Sequence, residues 1–145
     1  MNNNNKPYSN IPGTTVFDGD MARVGFHLNQ FCMSLMQASN RDAFKQNERA
    51  CLDQWPMTQA QKNAVLARDF TQLIALGGNI YYLVKLSSSD GLSVAAAVST
   101  MTDLSPEDYM EMMRNGGRSP EGNRFTNNNK EFDEKESDKK SSKEQ

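Results

Sequence analysis

Apolar residues in this chain recur at helical spacing, in stretches too short for any one helix to carry a core alone. Val24, Leu28, Phe31 and Leu35 fall at i, i+4, i+7 and i+11, one face of a helix. Phe44, Cys51, Leu52 and Trp55 make a second such face, and Val65, Leu66, Leu73 and Ile74 a third. Residues 79–86, Asn79-Ile80-Tyr81-Tyr82-Leu83-Val84-Lys85-Leu86, carry side chains that favour a strand locally. No partner strand is found elsewhere, which favours a further helix capped by Asn79. Helices with one apolar face must bury it against one another. The expected fold is therefore all-α, a single small domain of about five short helices.

Caps and stops set the boundaries of these helices. Asp20 is the expected N-cap of the first, which runs to about Ser39-Asn40. Asn40 is the expected cap of the second, which Pro56 ends because its ring disfavours helix at the preceding residue. Thr58 and Gln61 form the T-x-x-Q capping box of the third, and Gly77-Gly78 stops it. Ser88-Ser89-Asp90-Gly91 reads as a turn, and residues 92–98 as a tightly packed short helix. Ser105-Pro106-Glu107-Asp108 opens the last helix, with serine as cap, proline at the first helical position and acids in the first turn. Asn115-Gly116-Gly117 ends it.

Outside these elements the composition shifts. Residues 1–10 are Asn-rich and read as a flexible arm, followed by a type II turn at Ile11-Pro12-Gly13-Thr14. Residues 126–145 hold Lys, Glu, Asp, Ser and Asn with one apolar residue, Phe132. Such a tail cannot offset its ordering entropy by burial and is expected to be disordered. The helical domain is thus placed at residues 11–125 of the 145.

The net charge of −2 gives no electrostatic case for nucleic acid or an acidic membrane surface. No run of about 18 apolar residues is present to span a bilayer. The N-terminus lacks the apolar region of a secretory signal, so the expectation is a cytoplasmic protein. Cys32 and Cys51 match no short metal motif and sit in apolar periodic stretches. They are expected to be reduced, small hydrophobes. There are nine methionines, four of them between Met101 and Met113. Spacing favours core filling for this surplus, while a partner surface is the other use of methionine.

The equipment of an active site is missing. The one histidine, His27, cannot supply a two-His-one-carboxylate iron site. His27 and Cys32 are five positions apart and do not share a helix face. Among apolar neighbours, Cys32 is expected to have a raised rather than an activated thiol pKa. Neither a dinucleotide fingerprint nor a P-loop occurs. Residues and spacing alone give a helical domain without its own active site, suited to be a subunit of something else.

Several strings are more specific than their composition. They are Ile11-Pro12-Gly13-Thr14, Leu28-Asn29-Gln30-Phe31-Cys32-Met33-Ser34-Leu35-Met36 and Ala64-Val65-Leu66-Ala67-Arg68-Asp69, followed by Gly77-Gly78-Asn79-Ile80-Tyr81-Tyr82-Leu83 and Gly116-Gly117-Arg118-Ser119-Pro120-Glu121-Gly122. In this order the chain resembles the alpha subunit of protocatechuate 4,5-dioxygenase, over roughly residues 11–124. The same domain occurs in gallate dioxygenase and related extradiol enzymes. The resemblance implies an assembly with a catalytic beta subunit, commonly a heterotetramer of two alpha and two beta chains. It implies Fe(II) bound by beta and not by this chain. Dioxygen and an aromatic dihydroxy acid meet at the shared site, where the ring opens beside its two hydroxyls. The alpha chain would cover the mouth of that site as a helical, non-catalytic lid. Alternatives are a gallate or methylgallate relative, or a stand-alone helical binding module.

The resemblance also places the pocket-facing segment after Asp90-Gly91, with Ser93, Val94, Thr100, Met101 and Thr102 as lid residues. Relatives usually carry an aromatic residue where Val94 stands, and Gly-Ser-Met-Thr-Gly where this chain has Ser99-Thr100-Met101-Thr102-Asp103. Those departures bear on substrate identity, and valine leaves room for a bulkier ring substituent. His27, Met33 and Arg118 are assigned to the subunit interface, Arg118 as an ion-pair partner of beta. Asn29, Gln30 and Ser34 are read instead as capping and buried hydrogen-bonding residues of the bundle.

Overall fold

A computed structural model describes residues 6–8, 11 and 14–118. The charged tail at 126–145, most of the arm at 1–10 and the turn residues Pro12 and Gly13 lie outside the described residues. Contacts divide the chain into two units, one of Met1–Val16 with Ser119–Gln145 and one of Phe17–Arg118. In the first unit, the Thr14 amide donates to the Ile11 carbonyl at 3.2 Å, which closes a turn. The Lys6 ammonium there stands 5.8 Å from the Tyr8 ring centroid.

The second unit is all helix. Its elements are α1 (Gly19–Val24), α2 (Phe26–Ser34), α3 (Ala38–Gln46), α4 (Glu48–Asp53) and α5 (Gln59–Ala67), then α6 (Phe70–Ala75), α7 (Ile80–Ser89), α8 (Val94–Ser99) and α9 (Pro106–Arg114). No strand occurs among the described residues. Residues 80–89 resolve the strand-or-helix ambiguity as a helix, with the Asn79 Oδ1 accepting the Tyr81 amide at 3.0 Å. The expected capping box is present: Thr58 Oγ1 accepts the Gln61 amide at 3.2 Å and Gln61 Oε1 accepts the Thr58 amide at 3.0 Å.

The described residues form nine helices rather than about five, because the short run at 92–98 makes a helix of its own and each of the three longest expected helices is broken once. The first breaks at Gly25, where the backbone runs against that of Gly77. A Cβ on Gly25 would lie 1.7 Å from the Gly77 carbonyl oxygen, so only glycine fits. The break resets the helical phase. Val24, expected on the apolar face, is 58% exposed, while Leu28, Phe31 and Leu35 are buried. The cap of α1 is Asp18 rather than Asp20, its Oδ1 accepting the Asp20 and Met21 amides at 3.1 and 3.0 Å. The second expected helix breaks at Asn47, which turns extended and accepts the Ala50 amide at 3.0 Å to cap α4. Asn40 is not the cap of α3. It lies inside that helix and donates to the Ser34 carbonyl at 2.9 Å, and Gln37 holds the cap position with no side-chain bond. The third breaks at Arg68, which adopts φ +52°. Helix α7 also runs through Ser88 and Ser89, so the expected turn begins only at Asp90.

The core gathers Leu28, Phe31 and Leu35 of the α2 region with Phe44, Leu52, Val65, Phe70, Leu73, Leu83 and Leu86, all at most 3% exposed. Phe31 stacks edge-on against Phe44 and Trp55, with ring centroids 5.2 and 5.9 Å apart. α2 packs on α7, α7 on α8, and α8 on α9. Two buried amides join backbone segments that no helix satisfies. Asn29 donates to the Gly77 carbonyl at 3.0 Å and accepts the Asn79 amide at 2.9 Å. Gln61 donates to the Val24 and Leu76 carbonyls at 3.1 and 3.0 Å. Asn29 and Ser34 are thus hydrogen-bonding residues of the bundle as expected, while Gln30 is exposed.

Candidate functional site

The five expected lid residues lie on one short piece of chain carried by α7. After Asp90 the chain turns through Gly91, and Ser93 caps α8 by accepting the Ala96 amide at 3.1 Å. The small residues of α8 let it sit close to the bundle, with Ala97 only 2% exposed. Val94 points the other way and is 54% exposed. Past the helix, Thr100 Oγ1 donates to the Ala97 carbonyl at 2.6 Å. Thr102 Oγ1 donates to the Ser99 carbonyl at 2.8 Å and accepts the Leu104 amide at 3.1 Å. Met101 is half-buried and packs against the core.

The chemistry of this segment is narrow. From Ser93 to Thr102 there is no acid, base, thiol or phenol. The hydroxyl protons of Thr100 and Thr102 are held by carbonyls of their own chain, which leaves an acceptor oxygen and a methyl group on each. Such a surface can shape a pocket and exclude water from it. It carries no side chain that titrates near neutral pH.

The expected interface residues are scattered. His27 is exposed on the first turn of α2, its ring edge-on to Phe26 at 5.2 Å. Met33 is on the same helix, six positions on and 36% exposed, so the two do not share a face. Arg118 is exposed and follows α9.

Apolar exposure is larger than the sequence reading anticipated. Met36, Met110 and Met113 are 55, 37 and 50% exposed, so core filling accounts for Met57 and for part of Met101 but not for these. Helix α9 contains no buried residue. Leu92 and Leu104, on either side of α8, are 42 and 38% exposed. The signal available beforehand was the spacing of Met110 and Met113, three apart on one helix face.

Elsewhere, an open pocket of about 310 Å³ lies between α3 and α4, lined by Ser34, Asn40, Asn47, Cys51, Gln54 and Trp55 among others. It contains no residue of the α8 segment and no carboxylate. Cys51, on its wall, has its thiol pKa raised by burial. Cys32 is buried, and burial pushes its thiol up to about 12, which leaves it neutral and unreactive at physiological pH. Both cysteines are free. Among the described residues no group of three or more His, Cys, Asp or Glu could hold a metal ion. No helix among them is long and apolar enough to cross a membrane.

A family model described as the LigA subunit of the aromatic-ring-opening dioxygenase LigAB matches residues 28–114. The match begins within α2 and ends with α9, and so includes the whole α8 segment.

Proposed function

Because the chain belongs to the LigA-subunit family of LigAB aromatic-ring-opening dioxygenases, we propose that it serves as a lid, closing over an active site that a larger LigB-type partner holds. The observation that carries this reading is the α8 segment itself. It is small, apolar and free of titratable groups, yet it is capped and buttressed so that Val94 faces outward. A lid of that kind keeps bulk water from reactive intermediates and completes a pocket where two subunits meet. The exposed methionines of α9 beside it suit a partner surface.

In this reading Ser93, Val94, Thr100, Met101 and Thr102 border the substrate, while His27, Met33 and Arg118 contact the partner. The chain's own donors do not fit an iron centre, since its single histidine is exposed on α2 and stands in no metal-binding cluster of described residues. Fe(II) and the catalytic base would accordingly belong to the partner, in a complex of two alpha and two beta chains. The favoured substrate is protocatechuate, opened at the 4,5 bond. Val94 stands where relatives usually carry an aromatic residue, and that single feature favours a second reading, a gallate or methylgallate enzyme with a roomier pocket.

The test is co-expression with a LigB-type chain, followed by oxygen uptake with protocatechuate and with gallate under added Fe(II). A complex that consumes oxygen and yields a ring-opened product supports the reading, and the faster substrate assigns the subfamily. A chain that stays monomeric beside an active beta subunit would overturn it. Filling the pocket by Val94→Phe is expected to raise KM for methoxylated catechols about tenfold, with a smaller change for protocatechuate. Equal rates across ring substituents would argue against Val94 lining the site.

A further inference from the structure

Four helices end in the same paired hydrogen bonds. In α6, α7 and α9 the amides of Gly77, Gly91 and Gly116 reach the carbonyls of Ile74, Ser88 and Met113, and the next amide in each case reaches one residue further back. In α5 the Arg68 amide reaches Val65 and the Asp69 amide reaches Ala64, both at 3.0 Å. Each such stop needs one left-handed residue. Three are glycines, at φ +93°, +78° and +100°, and the fourth is Arg68 at +52°. Glycine would end α5 with less strain, so ending the helix does not explain the arginine.

Its guanidinium does. All five N–H groups are engaged. Nε donates to Asp90 Oδ2 at 2.7 Å and Nη2 to Asp90 Oδ1 at 3.1 Å, a two-pronged grip on one carboxylate. Nη1 donates to Glu48 Oε2 at 3.1 Å and to the Val65 carbonyl at 2.8 Å, and Nη2 also donates to Glu48 Oε1. The Phe44 ring lies beneath, 5.4 Å from Cζ. Partial burial works against the charge, but the bonds and charges of Asp90 and Glu48 outweigh it and raise the pKa. Asp90 is the residue that ends α7, three residues before the α8 cap. Glu48 opens α4.

We infer that Arg68 is a positioning residue for the lid: by gripping Asp90 against α4 it fixes the corner from which α8 departs. Its consequence for catalysis rests on the reading of α8 as the lid. The left-handed backbone of Arg68 aims the side chain, and the Asp90 fork transmits that aim to α8. Lysine cannot replace it, since one nitrogen has no planar fork to hold two carboxylates in fixed directions.

The test uses the full chain in complex with its catalytic partner, with amide hydrogen exchange and steady-state kinetics as parallel readouts. Asp90→Ala and Arg68→Gly are expected to speed exchange in the α8 segment about tenfold while α2 and α5 keep their rates. Arg68→Gly also relieves the backbone, so a loosened α8 in that variant cannot be blamed on a strained turn. Arg68→Lys should resemble Arg68→Gly, and Glu48→Ala should fall between it and wild type. KM for the aromatic substrate is expected to rise about fivefold, more than kcat falls, because the pocket is less often assembled. Exchange in α8 that is unchanged, or that rises only in step with every other helix, would overturn the inference. A loosened α8 with unaltered kinetics would leave the clamp standing and sink the lid reading instead.

Discussion

The body of the protein, α1 to α7, and its C-terminal pair, α8 and α9, use their polar groups in opposite ways. In the body, Asn29 and Gln61 reach backbone atoms far away in sequence, at Gly77, Asn79, Val24 and Leu76. In the C-terminal pair, Ser99, Thr100, Thr102 and Ser105 bond within three residues of themselves. Burial follows the same division. Almost the whole core comes from the α2–α7 region, whereas α8 contributes Ala97 and α9 contributes nothing buried. Long-range polar ties fix one arrangement of segments, and local ones leave an element free to be placed by what it packs against. The first region therefore holds the fold, and the second presents a surface.

The largest loss of stability is expected from the contact on which the body closes. Gly25→Ala is expected to cost about 4 kcal/mol or more, because the clash is with backbone that cannot rotate away. Thermal melting checks it. A melting temperature within a few degrees of wild type would mean that the Gly25–Gly77 contact can open at little cost. Next in size is Asn29→Ala, which leaves the Gly77 carbonyl and the Asn79 amide without their partner. About 2 kcal/mol is expected, read from urea unfolding with an unchanged m-value.

These two residues also show what a sequence reveals and what it hides. The Thr58–Gln61 box, the Ser105-Pro106 start and the stops at Gly77 and Gly116 are local devices, legible because cause and effect lie within one turn. The break at Gly25 is caused by Gly77, and the left-handed Arg68 is held by Glu48 and Asp90, so neither is visible in its own neighbourhood. Asp20 and Asn40 were reasonable caps by residue type, but Asp18 and Gln37 hold those positions because the helices begin elsewhere. The small-residue run marked α8 as a short helix, but its proposed lid role comes from family resemblance alone, since small apolar residues carry no chemical signature. The Arg68 clamp was hidden because arginine inside a helical pattern looks like a solvated face.

A smaller effect tests the body by pH. Burial raises the Cys32 thiol from 9.0 to about 12, so folding favours the neutral form. Below pH 9 the thiol is neutral in both states and its contribution to stability is intact. As pH rises from 9 toward 12 the unfolded chain ionises first, and stability falls by about 1.4 kcal/mol per pH unit from this group. Cys32→Ala is expected to cost roughly 1 kcal/mol at neutral pH and to flatten that part of the alkaline decline. Equal slopes for wild type and variant would show the thiol to be reachable by water. Tyrosines and lysines also ionise in this range, so it is the difference in slope between wild type and variant that reports on Cys32 and its surroundings in α2.

The least change in stability should come from the surface of α9. Met110 and Met113 are 37 and 50% exposed on a helix with no buried residue. Replacing both with serine removes little packing, and unfolding of the isolated chain should shift by no more than about 0.5 kcal/mol. Association is where the substitution should tell, because methionine on a partner surface contributes only once it is covered. Weaker binding to the LigB-type subunit by about tenfold or more, at unchanged stability, would assign α9 to the interface. Unchanged affinity would move the contact elsewhere, to Met33 and Met36 on the α2 side. A large loss of stability would mean that α9 belongs energetically to the body, and the division between a region that holds the fold and one that presents a surface would fail at that helix.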